Sequence, residues 1–243
     1  MAITNNHSKT RPSPHKIVDM ALINTKPITG PSHDPATLSE SEEDEYGLLF
    51  FHLPDGKHGE FSQWYPSKFT MSKPHMSKMV GRIVDEADPD GTITFNCAEQ
   101  YMTYCQAARF GDTTRQAQAL ASSDPEFHDW LGKRIKGYTI DGWDEVRTEV
   151  MEVGSIAKFG QDPVLRQKLL STGGRKLCKA SKNDAIYGIG YEGKMALHWD
   201  KRWGDNRLGK ALMAARDYFL EQDYYANQDN PLDKKMAELK LEE

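Results

Sequence analysis

Apolar positions along the chain fall into a few short alternating or compact runs set among longer stretches of helical spacing. Leu48 to Phe51 is a compact apolar run that suits a buried strand. Thr92 to Phe95 alternates polar with β-branched or aromatic side chains, and Lys176 to Ala180 alternates again. Elsewhere the period is 3.6. After Asn96 as a cap, Cys97 to Phe110 places Cys97, Tyr101, Tyr104 and Ala108 on one face and Glu99, Thr103, Gln106 and Phe110 on a neighbouring one. Asp112 caps a helix running through Ala117 and Leu120, and Asp124-Pro125 opens another that turns Phe127, Trp130 and Leu131 inward. Trp143, Val146, Val150, Val153 and Ala157 recur at three- and four-residue steps, so Asp141 to Phe159 predicts a long amphipathic helix. Asp162-Pro163 starts a further helix that Gly173-Gly174 stops, with Leu165, Leu169 and Leu170 facing the core. Trp203 to Asn206 then caps a last core helix lined by Leu208, Ala211, Leu212, Ala215 and Phe219. The expected fold class is α+β, a predominantly helical single domain with a small β element.

Other segments carry weaker patterns. Met71 to Asp90 mixes Lys, Ser, Met, Pro and Asp and reads as an elaborated hairpin or insertion without chemistry. Tyr191 to Arg202 reads as a polar loop able to act as a lid. Residues 1–46 are rich in Pro, Ser, Thr, His and acids and end in the run Glu40 to Glu45, a flexible arm by composition. Within it Ile17 to Ile23 suits a short strand or a partner-binding segment. The domain proper is expected over 47–222, followed by a polar C-terminal helix or tail over 223–243.

Composition narrows the function classes. A net charge of −5 with scattered basic residues offers no broad stripe for nucleic-acid phosphates. Three cysteines at spacings that match no zinc motif point to a reducing compartment, and neither a metal nor a cofactor is expected. His58, His75 and His128 have no partner at metal-ligand spacing and read as surface side chains. No stretch reaches the roughly 18 apolar residues of a membrane span, and the start lacks a signal-peptide apolar region. The expectation is a cytoplasmic or nuclear protein without a membrane partner.

Candidate chemistry centres on Glu99, a carboxylate in the first turn of a helix otherwise built to be buried. It serves either the helix dipole or, in a groove shared with Gln106, acid–base work. In the loop Phe61 to Pro66, Pro66 holds Tyr65 extended and two large aromatics, Trp64 and Tyr65, fall in a loop-like context where they can simply cover the core. Lys133 and Arg134 after Gly132 suit phosphate, or a solvated helix face. Lys158 suits phosphate or the last-turn helix dipole. Asp184 is a second candidate carboxylate, or a turn residue, and Gly188-Ile189-Gly190 lets backbone approach a ligand closely. Asn206 is a helix cap first and a ligand contact second.

Taken in order, Phe61-Ser62-Gln63-Trp64-Tyr65-Pro66-Ser67, Glu99-Gln100-Tyr101-Met102, Leu131-Gly132-Lys133-Arg134, Ala157-Lys158-Phe159, Asn183 to Gly190 and Trp203 to Met213 resemble the NADAR (YbiA-like) family from about Leu48 to Leu220. The resemblance implies a compact, mostly helical fold that hydrolyses an N-glycosidic bond, either in ADP-ribosylated guanine or in phosphorylated riboflavin-pathway intermediates. The implied partners are an ADP-ribose-type or ribosylamino-phosphate small molecule, including ADP-ribosylated DNA or a guanine nucleotide. It makes Glu99 the acid–base group and Asp184 the residue that holds or polarises the sugar. It makes the Phe61 to Pro66 loop one wall of the pocket, where Ser62 and Gln63 offer hydrogen bonds and Trp64 a stacking surface; Trp64 or Tyr187 sandwiches the base, and Arg134 or Lys158 meets phosphate. The sequence departs from the family pattern at three positions. The usual lysine seven residues after the glutamate is Gln106, a glutamate before Ala180-Ser181 is Lys179, and a tryptophan before Gly188 is Tyr187. An amide is neither basic nor nucleophilic, so Gln106 opens the alternative of an impaired reader that binds the nucleotide without turning it over.

Overall fold

The computed structural model of the protein describes residues 47–228, so the predicted arm, including Ile17 to Ile23, and residues 229–243 lie outside the described residues. Strand β1 (Leu48–Phe51) pairs in parallel with β4 (Lys176–Lys179), Leu48 opposite Lys176 and Phe51 opposite Lys179. Strand β2 (Phe69–Ser72) pairs antiparallel with β3 (Thr92–Phe95), Phe69 opposite Phe95. Two small two-stranded sheets are therefore carried by a mostly helical α+β domain.

Helix α1 (Lys73–Val80) fills the segment expected to be a hairpin or insertion. The antiparallel pair is there, but a helix is inserted between its strands. Ser72 caps that helix by accepting the His75 N–H, Pro74 occupies its first turn, and it stops at Gly81 with φ of 72°. Its buried stripe of Lys73, Met76, Met79 and Val80 is short and contains a lysine, which hid the period. That lysine is paired with Asp85 at 2.9 Å and Asp88 at 2.7 Å.

Helix α2 (Ala98–Arg109) runs through the core, with α3 (Thr113–Ala121), α4 (Pro125–Gly132) and α5 (Ile140–Gly160) packed around it. Cys97, not Asn96, stands at its N-cap and makes no side-chain cap bond. The Asn96 N–H donates instead to Gln100 Oε1 at 2.6 Å. Phe69, Phe95 and Tyr101 meet in the core with ring centroids 5.3 to 5.9 Å apart. Gly154 on α5 lets Tyr101 of α2 lie against the helix backbone, because a Cβ there would fall 2.5 Å from the ring. Helix α6 (Pro163–Leu170) follows, capped by Asp162.

On α4, Leu131 is buried as predicted, but Trp130 stays 43% exposed and His128 is fully buried. The histidine is not a surface residue because its Nε2 meets the carbonyls of Ala119 and Ser122 at 3.1 and 3.0 Å, tying α3 to α4. The expected lid over Tyr191 to Arg202 is instead ordered as α7 (Gly193–Ala196) and a 3-10 turn, Leu197–Arg202. Helix α8 (Arg207–Gln228) packs on α5 and β4 and runs past the predicted boundary at 222.

Candidate active site

One cavity of about 740 Å³ opens where the ends of several elements converge, and its lining explains why the fold brings them together. The loop after β1 gives Ser62, Gln63 and Trp64, and α2 gives Glu99, Met102, Thr103 and Gln106. Asp129, Gly132 and Lys133 come from α4, and Trp143 and Arg147 from α5. Lys179 at the end of β4, with Asp184 and Tyr187 beyond it, closes the far wall.

The loop is fixed at two points. The Glu99 N–H donates to the Gln63 carbonyl at 3.0 Å, so the start of α2 and the loop are joined at the residue that carries the carboxylate. From the other side Lys158, 2% exposed, donates to the carbonyls of Glu60 and Ser62 at 2.8 and 2.9 Å. Burial pushes the Lys158 amine down to about 7, with Cys97 and Glu60 opposing. Its amine lies behind the loop and does not line the cavity.

Glu99 is the half-buried acid of the site. Burial pushes its carboxyl up to about 7; Lys179 opposes that rise, Asp129 and Asp184 add to it, and a hydrogen bond from the Trp64 side chain opposes it again. Near neutrality both protonation states are accessible, as an acid–base group requires. Gln106 is on the same helix face two turns later and also lines the cavity. Helix α4 comes so close there that a Cβ on Gly132 would meet Gln106 Oε1 at 3.0 Å.

Asp184 lies in the turn opposite. Its Oδ1 accepts the N–H groups of Ile186 and Tyr187 at 3.1 and 2.8 Å, and its Oδ2 accepts from Lys179 Nζ at 2.8 Å. Burial raises its carboxyl, but the Lys179 charge and these bonds outweigh burial and hold it below the usual range. Asp184 is therefore an ionised anchor that holds both the lysine and the Tyr187 backbone. The Tyr187 hydroxyl accepts from Trp143 Nε1 at 3.4 Å, and the Arg147 guanidinium lies 5.4 Å from the tyrosine ring centroid.

Seven of the ten residues read from the sequence thus meet in one cavity: Ser62, Gln63, Trp64, Glu99, Gln106, Asp184 and Tyr187. The other three are elsewhere. Arg134 folds back on Trp130, its guanidinium 4.2 Å from the ring centroid and its Nη1 donating to the Trp130 carbonyl at 3.1 Å. Lys158 holds the loop from behind. Buried Asn206, with φ of 50°, accepts the Lys179 N–H at 3.1 Å and donates to the Leu177 carbonyl at 2.8 Å, so its side chain clamps β4. In the glycine turn the close approach at Gly188 is to the chain's own backbone: a Cβ there would meet the carbonyls of Lys179 and Asp184 at 2.7 and 2.8 Å.

Sequence reasoning passed over Arg147. The signal was present, because Trp143, Arg147 and Met151 follow at four-residue steps and place a cation on the buried stripe of α5.

The site is thus a carboxylate-bearing cavity between loop, helix and strand ends of a helical domain with two small sheets. The chain belongs to the NADAR domain family, which matches residues 49–220. It is 30% identical to N-glycosidase R617 of Acanthamoeba polyphaga mimivirus, over 72% of this chain and 97% of that protein. It is 28% identical to riboflavin biosynthesis protein VVA0006 of Vibrio vulnificus, over 73% of this chain, and it spans 40% of that longer protein. The solution structure of Escherichia coli YbiA superposes with a TM-score of 0.53 at 25% identity, covering 73% of this chain and 87% of YbiA.

Proposed function

We propose that the chain is an N-glycosidase that hydrolyses the bond between an ADP-linked or phosphorylated ribose and a base, with ADP-ribosylated guanine, free or in DNA, as its substrate. The observation that carries this reading is Glu99, a carboxyl held near neutrality in a cavity walled by Trp64 and Tyr187. Cleavage adds water across the C1–N bond, hydroxide to the sugar carbon and a proton to the departing nitrogen. Protonated Glu99 supplies that proton, and its carboxylate then faces the positive charge that builds on the sugar. Trp64 and Tyr187 offer the faces between which a base can stack. The N-glycosidase names of R617 and YbiA agree with this chemistry.

Single-turnover incubation with ADP-ribosylated guanosine, read by mass spectrometry, tests it. Release of ADP-ribose is expected, and Glu99→Gln should slow it by on the order of 100- to 10,000-fold. Because the acid form is the one that donates, the rate should fall as pH rises through about 7, and that inflection should be absent in Glu99→Gln. Gln106 in the cavity wall favours one second reading, a reader that retains the ligand uncleaved. Neither release nor retention would turn the substrate towards a riboflavin intermediate, as the name of the Vibrio relative suggests.

A further inference from the structure

The cavity has three cations in its lining, and they are not equivalent. Lys133 is 67% exposed and paired with Asp129 at 2.5 Å across one helical turn. Lys179 is paired with Asp184 at 2.8 Å. Both amines already face a carboxylate of their own. Arg147 differs: its side chain is 5% exposed, and its carboxylate partner, Asp144, is shared with Arg207 at 3.1 Å. Its Nε is buried with no hydrogen-bond partner among the described residues.

A guanidinium has five N–H donors in a planar fork, and burying one with part of that fork unmatched is unfavourable unless something anionic completes it. The surroundings suit an anion with several oxygens. The Tyr187 ring lies against the guanidinium at 5.4 Å, and its hydroxyl, accepting from Trp143, keeps its own proton for donation. Lys179 Nζ lies 6.0 Å from the same ring, so two cations flank one tyrosine. Of the acids in the lining, Glu99 stands on α2, Asp129 on α4 and Asp184 in the turn beyond β4, so α5 brings Arg147 to the cavity and no acid.

We infer that Arg147, with Tyr187 against it, is the anion receptor of this cavity and takes the phosphate carried by the substrate's ribose. The inference rests on the glycosidase reading for the sugar, not for the anion. It moves phosphate recognition from the exposed Gly132-Lys133-Arg134 segment to the buried stripe of α5. It also separates two tasks in space: Arg147 selects the phosphorylated ligand, and Glu99 acts on the glycosidic bond.

Calorimetric titration of the full chain with ribose 5-phosphate, and with ribose as the uncharged comparison, tests this. The wild-type chain should prefer the phosphorylated sugar. Arg147→Gln should lose on the order of 10- to 100-fold in that preference, the range set by charge-assisted hydrogen bonds. Arg147→Lys keeps the charge without the fork and should fall between the two, which also covers the case in which the glutamine variant fails to fold. In turnover the loss should appear in KM more than in kcat. Unchanged preference in the folded Arg147 variants, no preference in the wild-type chain, or a loss confined to Arg134→Gln each overturns the inference. Preference for phosphate with no base released from any substrate would instead sink the glycosidase reading and leave the receptor standing.

Discussion

At the scale of single residues, the position on which the proposed chemistry turns is Gln106. The family resemblance places a lysine there, and the structure puts Gln106 on the same cavity-lining face of α2 as Glu99. Seven residues correspond to about 10.5 Å of helix rise, a gap that a sugar and its leaving group can bridge. An amide in that place can hydrogen-bond but can neither carry charge nor attack a carbon. The substitution Gln106→Lys is therefore expected to raise the single-turnover rate at least about tenfold, equivalent to ~1.4 kcal/mol of barrier. Quenched-flow assay of base release checks this. A rate that does not change would place the chemistry on another wall, with Lys179 the nearest candidate because its charge already bears on Glu99.

At the scale of elements, the site depends on how the loop after β1 is held. Lys158, at the end of α5, hydrogen-bonds the carbonyls of Glu60 and Ser62, while Gln63 between them and α2 receives the Glu99 N–H. Replacing that amine by Lys158→Met leaves two carbonyls without a donor, which costs on the order of 1–3 kcal/mol. The loop bearing Trp64 should loosen and KM should rise with kcat less affected, while net stability near neutrality also gains from removing the ionisation cost of the buried amine. An unchanged KM would mean that the loop holds itself. How far these elements could be read from sequence follows from the same physics. β1, α2, α5 and α6 were legible because their apolar periods are long or dense. Glu99, Gln106 and the Ser62–Trp64 loop were legible because polar groups interrupt apolar runs there. Helix α1 was hidden by a buried Lys73 whose partners, Asp85 and Asp88, lie beyond the helix. His128 was hidden because its acceptors are backbone carbonyls, which no side-chain pattern announces. Arg134 suits phosphate by residue type and family resemblance or else a solvated helix face, and Lys158 suits phosphate or the helix dipole. Only the fold decides whether a cation meets a ring, a carbonyl or a cavity, and it turned both away from the cavity while turning Arg147 into it.

At the scale of the whole molecule, two half-titrated groups near one site make stability depend on pH in a way that opposes function. Glu99 is raised from 4.5 to about 7, so the folded state holds its proton more tightly, and stability falls as pH rises from about 4.5 to 7. Lys158 is lowered from 10.5 to about 7, so the unfolded state binds its proton more tightly, and stability is lost as pH falls from about 10.5 to 7. Both contributions are unfavourable together around neutrality, where an acid–base glycosidase would work. That is the expected signature of a site maintained at the expense of the fold. The Glu99→Gln variant separates the two terms, because the amide stays neutral at every pH and can still accept the bond from Trp64. It should exceed the wild-type chain in stability by about 1–3 kcal/mol at pH 7 to 8, a figure already reduced for the partial exposure of the carboxylate. The difference should close as pH falls below about 4.5, where the wild-type carboxyl becomes protonated in both states. Urea unfolding of the two proteins across that range provides the measurement. A gap that stays constant with pH would assign the effect to packing rather than to ionisation, and Glu99 would lose its standing as the titrating acid of the cavity.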